Sequence, residues 1–239
     1  MTGATSGIGR ATALLLAQRN IRVLASGRDR VRGNALVDEI REAGGTADFL
    51  PGDLSDIQGC ADLAARATDC AGRVDILINN AAIAPMGPTK SMRGIDFDSA
   101  YAVNVKAPFF LVAALAPPMA ERGDGVIVNV STMVASFGTP ASAVYASSKA
   151  ALNLLTKSWA AEFGPSGVRV NAVAPGPTLT EGTAEALGER GLDRLAHMAP
   201  ARRVASPHEI AETICFLAGD DSRFIHGAVV PVDGGRTAV

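Results

Sequence analysis

The sequence is poor in several residue types that mark specialised proteins. It has three cysteines, Cys60, Cys70 and Cys215, an odd number without metal-ligand spacing. A disulfide framework and a cysteine-held metal site are therefore not expected, and the thiols read as reduced and mostly buried in a cytoplasmic protein. Of its three histidines, His197 stands alone in a mixed-charge stretch and reads as a surface residue. Neither sign of charge is in excess: 22 basic and 24 acidic side chains leave a net of −2. That gives no electrostatic case for nucleic acid as a main partner, although a small basic site for one phosphate is compatible with it. No apolar run approaches the ~20 residues of a membrane span, and no signal-peptide pattern is expected. Low-complexity linkers and internal repeats are absent, so residues 1–239 are expected to form a single domain.

One further shortage is local. Met1 to Arg10 reads MTGATSGIGR, in which Gly3, Gly7 and Gly9 form G-x-x-x-G-x-G ahead of a helical run from Ala11 to Gln18. Such a motif normally follows a buried strand, yet almost nothing precedes Thr2. A central parallel strand cannot be lost cheaply, because both neighbours lose ladder hydrogen bonds. The expectation is a truncated first strand, with roughly five to ten apolar, β-branched residues upstream in the complete protein.

What is present is a chain of 239 residues, 48% of them apolar, long enough for a substantial core. Short apolar runs at 21–26, 47–51, 74–78, 125–131, 168–173 and 228–232 read as buried strands. Amphipathic stretches separate them, at 30–43, 57–71, 99–119, 144–163 and 206–218. This alternation implies an α/β domain with a parallel sheet covered by helices on both faces. Ligands then bind beyond the carboxyl ends of the strands. Pro117-Pro118 is expected to weaken the end of the 99–119 helix. Ser55 is the expected N-cap of the 57–71 helix, and Ser206-Pro207-His208-Glu209 reads as a capping box with proline at its first turn. Residues 179–203 carry no strand signal and read as a lid over a cleft.

The glycine motif suits a diphosphate. Glycines allow close backbone approach, and the helix N-terminus favours an anion. At the end of the 21–26 strand, Gly27 takes the place of an acidic residue and Arg28 follows it. A guanidinium there suits a 2′-phosphate, which favours NADP(H), with NAD(H) as the alternative; Asp29 is a competitor for the ribose. Asp53 reads either as an acceptor for an adenine amino group or as part of a helix start. Asn79 and Asn80 read as satisfying backbone groups, as lining the cleft, or as both.

Tyr145 and Lys149 stand four residues apart in Val144-Tyr145-Ala146-Ser147-Ser148-Lys149. On a helix they share one face. A nearby cation lowers a phenol's pKa from about 10 and suits it to proton transfer with an alcohol oxygen. Asn104, inside an apolar helical stretch, has a polar group to satisfy.

Together these motifs, in this order, resemble the short-chain dehydrogenases/reductases, in particular the 3-oxoacyl-ACP reductase-like members. The resemblance covers essentially the whole chain. It rests on T-G-x-x-x-G-x-G at Thr2 to Gly9, Asp53, N-N-A at Asn79 to Ala81, Asn104, Y-x-x-x-K at Tyr145 and Lys149, and P-G at Pro175-Gly176. It implies a doubly wound Rossmann-like domain with a seven-stranded parallel sheet. It also implies hydride transfer between NAD(P)(H) and a ketone or secondary alcohol, and a homotetramer or homodimer contacting through long helices and the last strand. The implied catalytic set is Asn104, Thr132, Tyr145 and Lys149, with the asparagine linked to the lysine through water. The family's serine falls on Thr132, thirteen residues before Tyr145; Ser131, one position away, would face the other side of its strand. The implied cofactor residues are Gly3, Ser6, Gly7, Ile8, Gly9, Arg28, Asp53, Leu54, Asn80, Ala81, Tyr145, Lys149, Pro175, Gly176, Thr178 and Thr180. The family's N-N-A-G motif ends here in Ala82. Met86, Met92, Met133, Phe137 and Leu179, with little charge beyond Lys90 and Arg93, point to a largely apolar substrate. The rival reading is a non-catalytic NADP-binding oligomeric sensor or scaffold, which would have no need of Asn104, Tyr145 and Lys149 together.

Overall fold

The computed structural model describes all 239 residues. The apolar runs form six parallel strands: β1 (Val23–Gly27), β2 (Ala47–Pro51), β3 (Ile76–Asn79), β4 (Gly125–Val130), β5 (Val168–Pro175) and β6 (Val229–Val232). Eight α-helices accompany them: α1 (Gly7–Gln18), α2 (Arg30–Glu42), α3 (Ile57–Ala71), α4 (Gly94–Tyr101), α5 (Ala107–Arg122), α6 (Ala143–Phe163), α7 (Glu181–His197) and α8 (Pro207–Ala218). β4 and β5 are buried along their whole length, which accounts for their uninterrupted apolar pattern. One core packs α1, α2 and α8 on one face of the sheet, and a second packs α3, α5 and α6 on the other.

The strands hydrogen-bond in two groups, β1-β2 and β3-β4-β5-β6. The expected seven-stranded sheet is thus observed as six strands. Met1 to Ala4 lie where the groups meet. The Met1 nitrogen donates to the Leu24 carbonyl at 2.7 Å, Ser26 N–H donates to Met1 at 2.9 Å, and Thr2 N–H donates to Ile78 at 3.0 Å. Beyond Met1 the sheet opens into a cavity of about 440 Å³, mostly apolar, bordered by Leu24, Ile76 and Ile78 on the strands and by Leu16, Leu63 and Leu111 beneath.

Local chemistry sets several helix ends. Ser206 and Glu209 form the expected capping box. The N-cap of α3 is Asp56, whose carboxylate accepts from Gly59 N–H, and not Ser55; the Ser55 N–H instead donates to Asp53. The expected 99–119 helix is α4, a π-helical segment at Ala102–Lys106, and α5. Pro117 and Pro118 do not end α5, which runs on to Arg122. The carbonyls they release belong to Ala113 and Ala114, which lie on the exposed face, open to solvent. The continuous helical stretch Gly94–Arg122 is long and apolar enough to cross a membrane by length and composition, but α5 puts its apolar face into the second core. The 179–203 segment is built around α7, which is interrupted at Gly188 by a positive-φ conformation (φ 61°) that glycine alone adopts readily.

Candidate active site

The carboxyl ends of the strands open onto a cleft of about 790 Å³. Its floor is the glycine loop and the start of α1. Ser6 makes no side-chain cap bond there, so the first N–H groups of α1 remain open to an anion. The glycines are required by close approach. A Cβ on Gly9 would lie 2.0 Å from the Gly3 carbonyl oxygen, and one on Gly3 would lie 2.8 Å from the Asn80 amide nitrogen. Asn80 ties this loop down, donating to the Thr2 and Gly3 carbonyls at 3.1 and 2.8 Å. Thr2 Oγ1 accepts from the N–H groups of Asn80 and Ala81.

Arg28, exposed at the end of β1, borders the cleft and has no protein partner. Asp29 is already engaged: it caps α2 by accepting from Arg32 N–H at 3.0 Å. Asp53, Leu54, Ile8, Ala81 and Ala82 also line the cleft. Pro175 and Gly176 end β5 against β6, where Gly176 N–H donates to Val232 at 2.9 Å and a Cβ on Gly176 would strike Asp233. Thr178 and Thr180, expected at the cofactor, have structural roles here. Thr178 Oγ1 donates to the Gly176 carbonyl, and Thr180 caps α7 reciprocally with Thr183. A nucleotide would add to the second role, since Thr180 stands over Gly7 at the cleft rim.

Past Ala82 and Ile83 lie the residues expected to carry chemistry. Lys149 is 1% exposed, and its Nζ donates to the Val130 carbonyl at the end of β4 at 2.7 Å. Burial pushes this ammonium down to about 8. Burial also raises the Tyr145 phenol, an effect partly opposed by the nearby Thr132 hydroxyl. Within the protein itself, desolvation is the largest influence on this phenol. Thr132 lies near enough to the Tyr145 phenol to influence its pKa, whereas the buried Ser131 hydroxyl has no partner; both residues follow the end of β4.

Asn104 is fully buried in the π-helical segment Ala102–Lys106. It accepts from Ile83 N–H at 2.9 Å and donates to the Ile83 carbonyl at 2.8 Å and to Ser148 Oγ at 2.9 Å. Ser148 in turn donates to the Tyr145 carbonyl at 2.7 Å. The direct partner of Asn104 on α6 is thus Ser148, which the sequence reading passed over although it sits inside the Tyr145–Lys149 motif. Ile83 left no signal, because it contributes only its backbone.

A glycine-floored anion cleft beside a buried lysine and a tyrosine one turn apart on one helix is an arrangement suited to a dinucleotide-dependent oxidoreductase. Residues 3–237 match the family model described as enoyl-(acyl carrier protein) reductase. The 3-oxoacyl-[acyl-carrier-protein] reductase of Thermotoga maritima is 37% identical, over 98% of this chain and 95% of that protein. A solved short chain dehydrogenase/reductase family protein is 46% identical with a TM-score of 0.92, covering 100% of this chain and 96% of that one. An actinorhodin polyketide ketoreductase solved with NADPH is 29% identical with a TM-score of 0.94, covering 100% and 96%. The chain belongs to the short-chain dehydrogenase/reductase family, and it is an NAD(P)-dependent oxidoreductase acting between ketones and secondary alcohols.

Proposed function

We propose that this chain is an NADP(H)-preferring reductase/dehydrogenase of a largely apolar ketone and its secondary alcohol, with Tyr145 as general acid and base. The observation that carries the reading is the fully buried Lys149 one turn along α6 from Tyr145, on the helix that Ser148 and Asn104 tie to Ile83 at the cleft. A bound nicotinamide supplies or accepts the hydride. In reduction, Tyr145 gives its proton to the oxygen of the carbonyl that is becoming an alkoxide. Thr132 donates a hydrogen bond to the same oxygen and holds the carbonyl against Tyr145. Lys149, still mostly protonated at neutral pH, stabilises the phenolate left behind, and solvent restores the proton. In oxidation the same groups run in reverse. Asn104 and Ser148 fix the first turn of α6, and with it the Tyr145 backbone.

The preference for NADP(H) is supported by the unpartnered Arg28 and by the prior engagement of Asp29, which leaves less competition from a carboxylate for the ribose. An apolar substrate is supported by the apolar composition of the loops before Tyr145 and at 179, where Met133, Phe137 and Leu179 stand, while Arg93, one of the few charges nearby in sequence, is held by Asp96 in a two-pronged pair. We assign it to the cytoplasm and to a homodimer or homotetramer.

The test is calorimetric binding of NADPH and NADH, followed by turnover on a panel of ketones. Wild type is expected to bind NADPH more tightly, and Arg28→Ala to lose that preference. Tyr145→Phe is expected to abolish turnover with NADPH binding nearly intact. Thr132→Ala should lower the rate by about 10²–10³-fold, as for loss of one donor to a developing oxyanion. Ser131→Ala should leave it near wild type. Wild-type rates in Tyr145→Phe would overturn the mechanism.

A further inference from the structure

The first turn of α7 crosses the mouth of the cleft and is held at two places. Thr180 rests on the glycine loop, its methyl 3.0 Å from where a Cβ on Gly7 would stand. One residue on, Glu181 accepts from Arg32 of α2 at 2.9 Å. Arg32 also lies 3.4 Å from Asp29. It is thus shared by two carboxylates, one turn of helix from Arg28 at the end of β1. Glu181 borders the cleft with Arg28, so a negative charge faces the place assigned to the nucleotide's 2′-phosphate.

We propose that Arg32 and Glu181 form a latch between the lid and the adenosine end of the cleft, and that a 2′-phosphate opens it. This rests on the reading that the cleft binds NADP(H). Both side chains are more than half exposed, so the pair is weak and exchangeable. A phosphate dianion is a stronger, bidentate partner for a guanidinium than a shared carboxylate. Once Arg32 turns to the phosphate, Glu181 is left facing a dianion without its counter-charge. The first turn of α7 then moves away from the adenosine end. NAD(H), lacking the phosphate, leaves the pair closed. Glu181 therefore lowers affinity for 2′-phosphorylated nucleotides and makes the lid's position report which cofactor is bound.

The experiment uses adenosine fragments, which occupy the adenosine end and carry no nicotinamide to touch the lid. Binding of 2′,5′-ADP and 5′-AMP is measured at low salt on wild type and Glu181→Gln. Amide hydrogen exchange is followed across residues 181–197. The Thr180–Thr183 capping box is untouched by this change, so α7 keeps its start. Glu181→Gln is expected to bind 2′,5′-ADP about two- to five-fold more tightly, the range set by an exposed pair, with 5′-AMP unchanged. In wild type, 2′,5′-ADP should speed lid exchange and 5′-AMP should not. In Glu181→Gln, exchange should already be fast and indifferent to either fragment. Unchanged 2′,5′-ADP affinity in Glu181→Gln, or the same lid response to both fragments in wild type, overturns the latch. NADPH and NADH are titrated into wild type alongside. If neither binds, the cofactor reading falls and the latch with it; if NADPH binds and Glu181→Gln changes nothing, the latch alone is wrong.

Discussion

Lys149 holds a charge where water hardly reaches, with one carbonyl as its recorded hydrogen-bond partner. Its pKa falls from 10.5 to about 8 because burial penalises the charged form. The folded state therefore binds fewer protons than the unfolded chain between about pH 8 and 10.5, and stability rises with pH across that window. A shift of this size is worth about 3 kcal/mol by linkage. Urea unfolding at a series of pH values should show this rise in wild type relative to Lys149→Met, which lacks it. Parallel pH profiles for the two proteins would mean the lysine is not buried as described. Ala141 is a different kind of strain. It adopts φ 64°, a left-handed conformation that costs a residue with a Cβ about 1–2 kcal/mol. Its carbonyl accepts from Gly87 N–H at 2.8 Å, so the turn before Tyr145 is pinned in that shape. Ala141→Gly should raise the melting temperature, with a net gain of about 0.5–1 kcal/mol once glycine's extra unfolded freedom is subtracted. At this scale the sequence was informative where geometry is local. Four-residue spacing put Tyr145 and Lys149 on one helix, α6; Thr132 and Ser131 fall just past the end of β4, where alternation no longer governs them. It was silent on burial, which decides the direction of the Tyr145 shift, and on the Ile83 backbone that receives Asn104.

At the scale of elements, alternating apolar and amphipathic runs were enough to place all six observed strands and most of the helices between them, but not α7, whose mixed charge and three glycines in 179–203 hid its helix. Two further features escaped. The π-helical turn at Ala102–Lys106 looks like ordinary helix in sequence, because one extra residue per turn leaves no compositional mark. Pro117 and Pro118 look like a helix end, and only their placement on the exposed face lets α5 pass through them. The split sheet was legible from the glycine motif alone, and the structure gives it a volume. By the alternation of a parallel ladder, Ile76 turns its N–H and C=O toward the cavity, as Ile78 does toward Thr2. A segment of about five apolar, β-branched residues fused ahead of Met1 should enter this cavity between β1 and β3. Each aliphatic side chain it buries contributes roughly 1.5–3 kcal/mol before the entropy of ordering the strand is subtracted. The fused protein should melt well above the 239-residue chain, while a fusion of the same length built from glycine and serine should not. Equal melting temperatures for the two fusions would show that the cavity does not accept a strand.

For the whole molecule, what remains uncovered marks where a second copy is expected. β6 is the last strand of its sheet, with one side of its ladder unpaired. Beside it, Leu154 on α6 is 66% exposed. A cavity of about 340 Å³ lies between α6 and β6, bordered by Leu154, Asn153, Val229 and Pro231. The Asn153 carbonyl oxygen is buried there without a partner, which costs roughly 1–3 kcal/mol unless another group satisfies it. An apolar side chain, an open strand edge and an unmatched acceptor on one face are accounted for together if this face meets its own copy across a twofold axis. Sedimentation velocity should then show a dimer or tetramer for wild type. Leu154→Arg places like charges opposite each other at such an axis, and should shift the distribution toward smaller species. Turnover per chain should fall only as far as Tyr145 and Lys149 on α6 are loosened by that loss. A wild-type chain that sediments as a monomer at micromolar concentration would remove this assignment and leave the exposed leucine without a structural role.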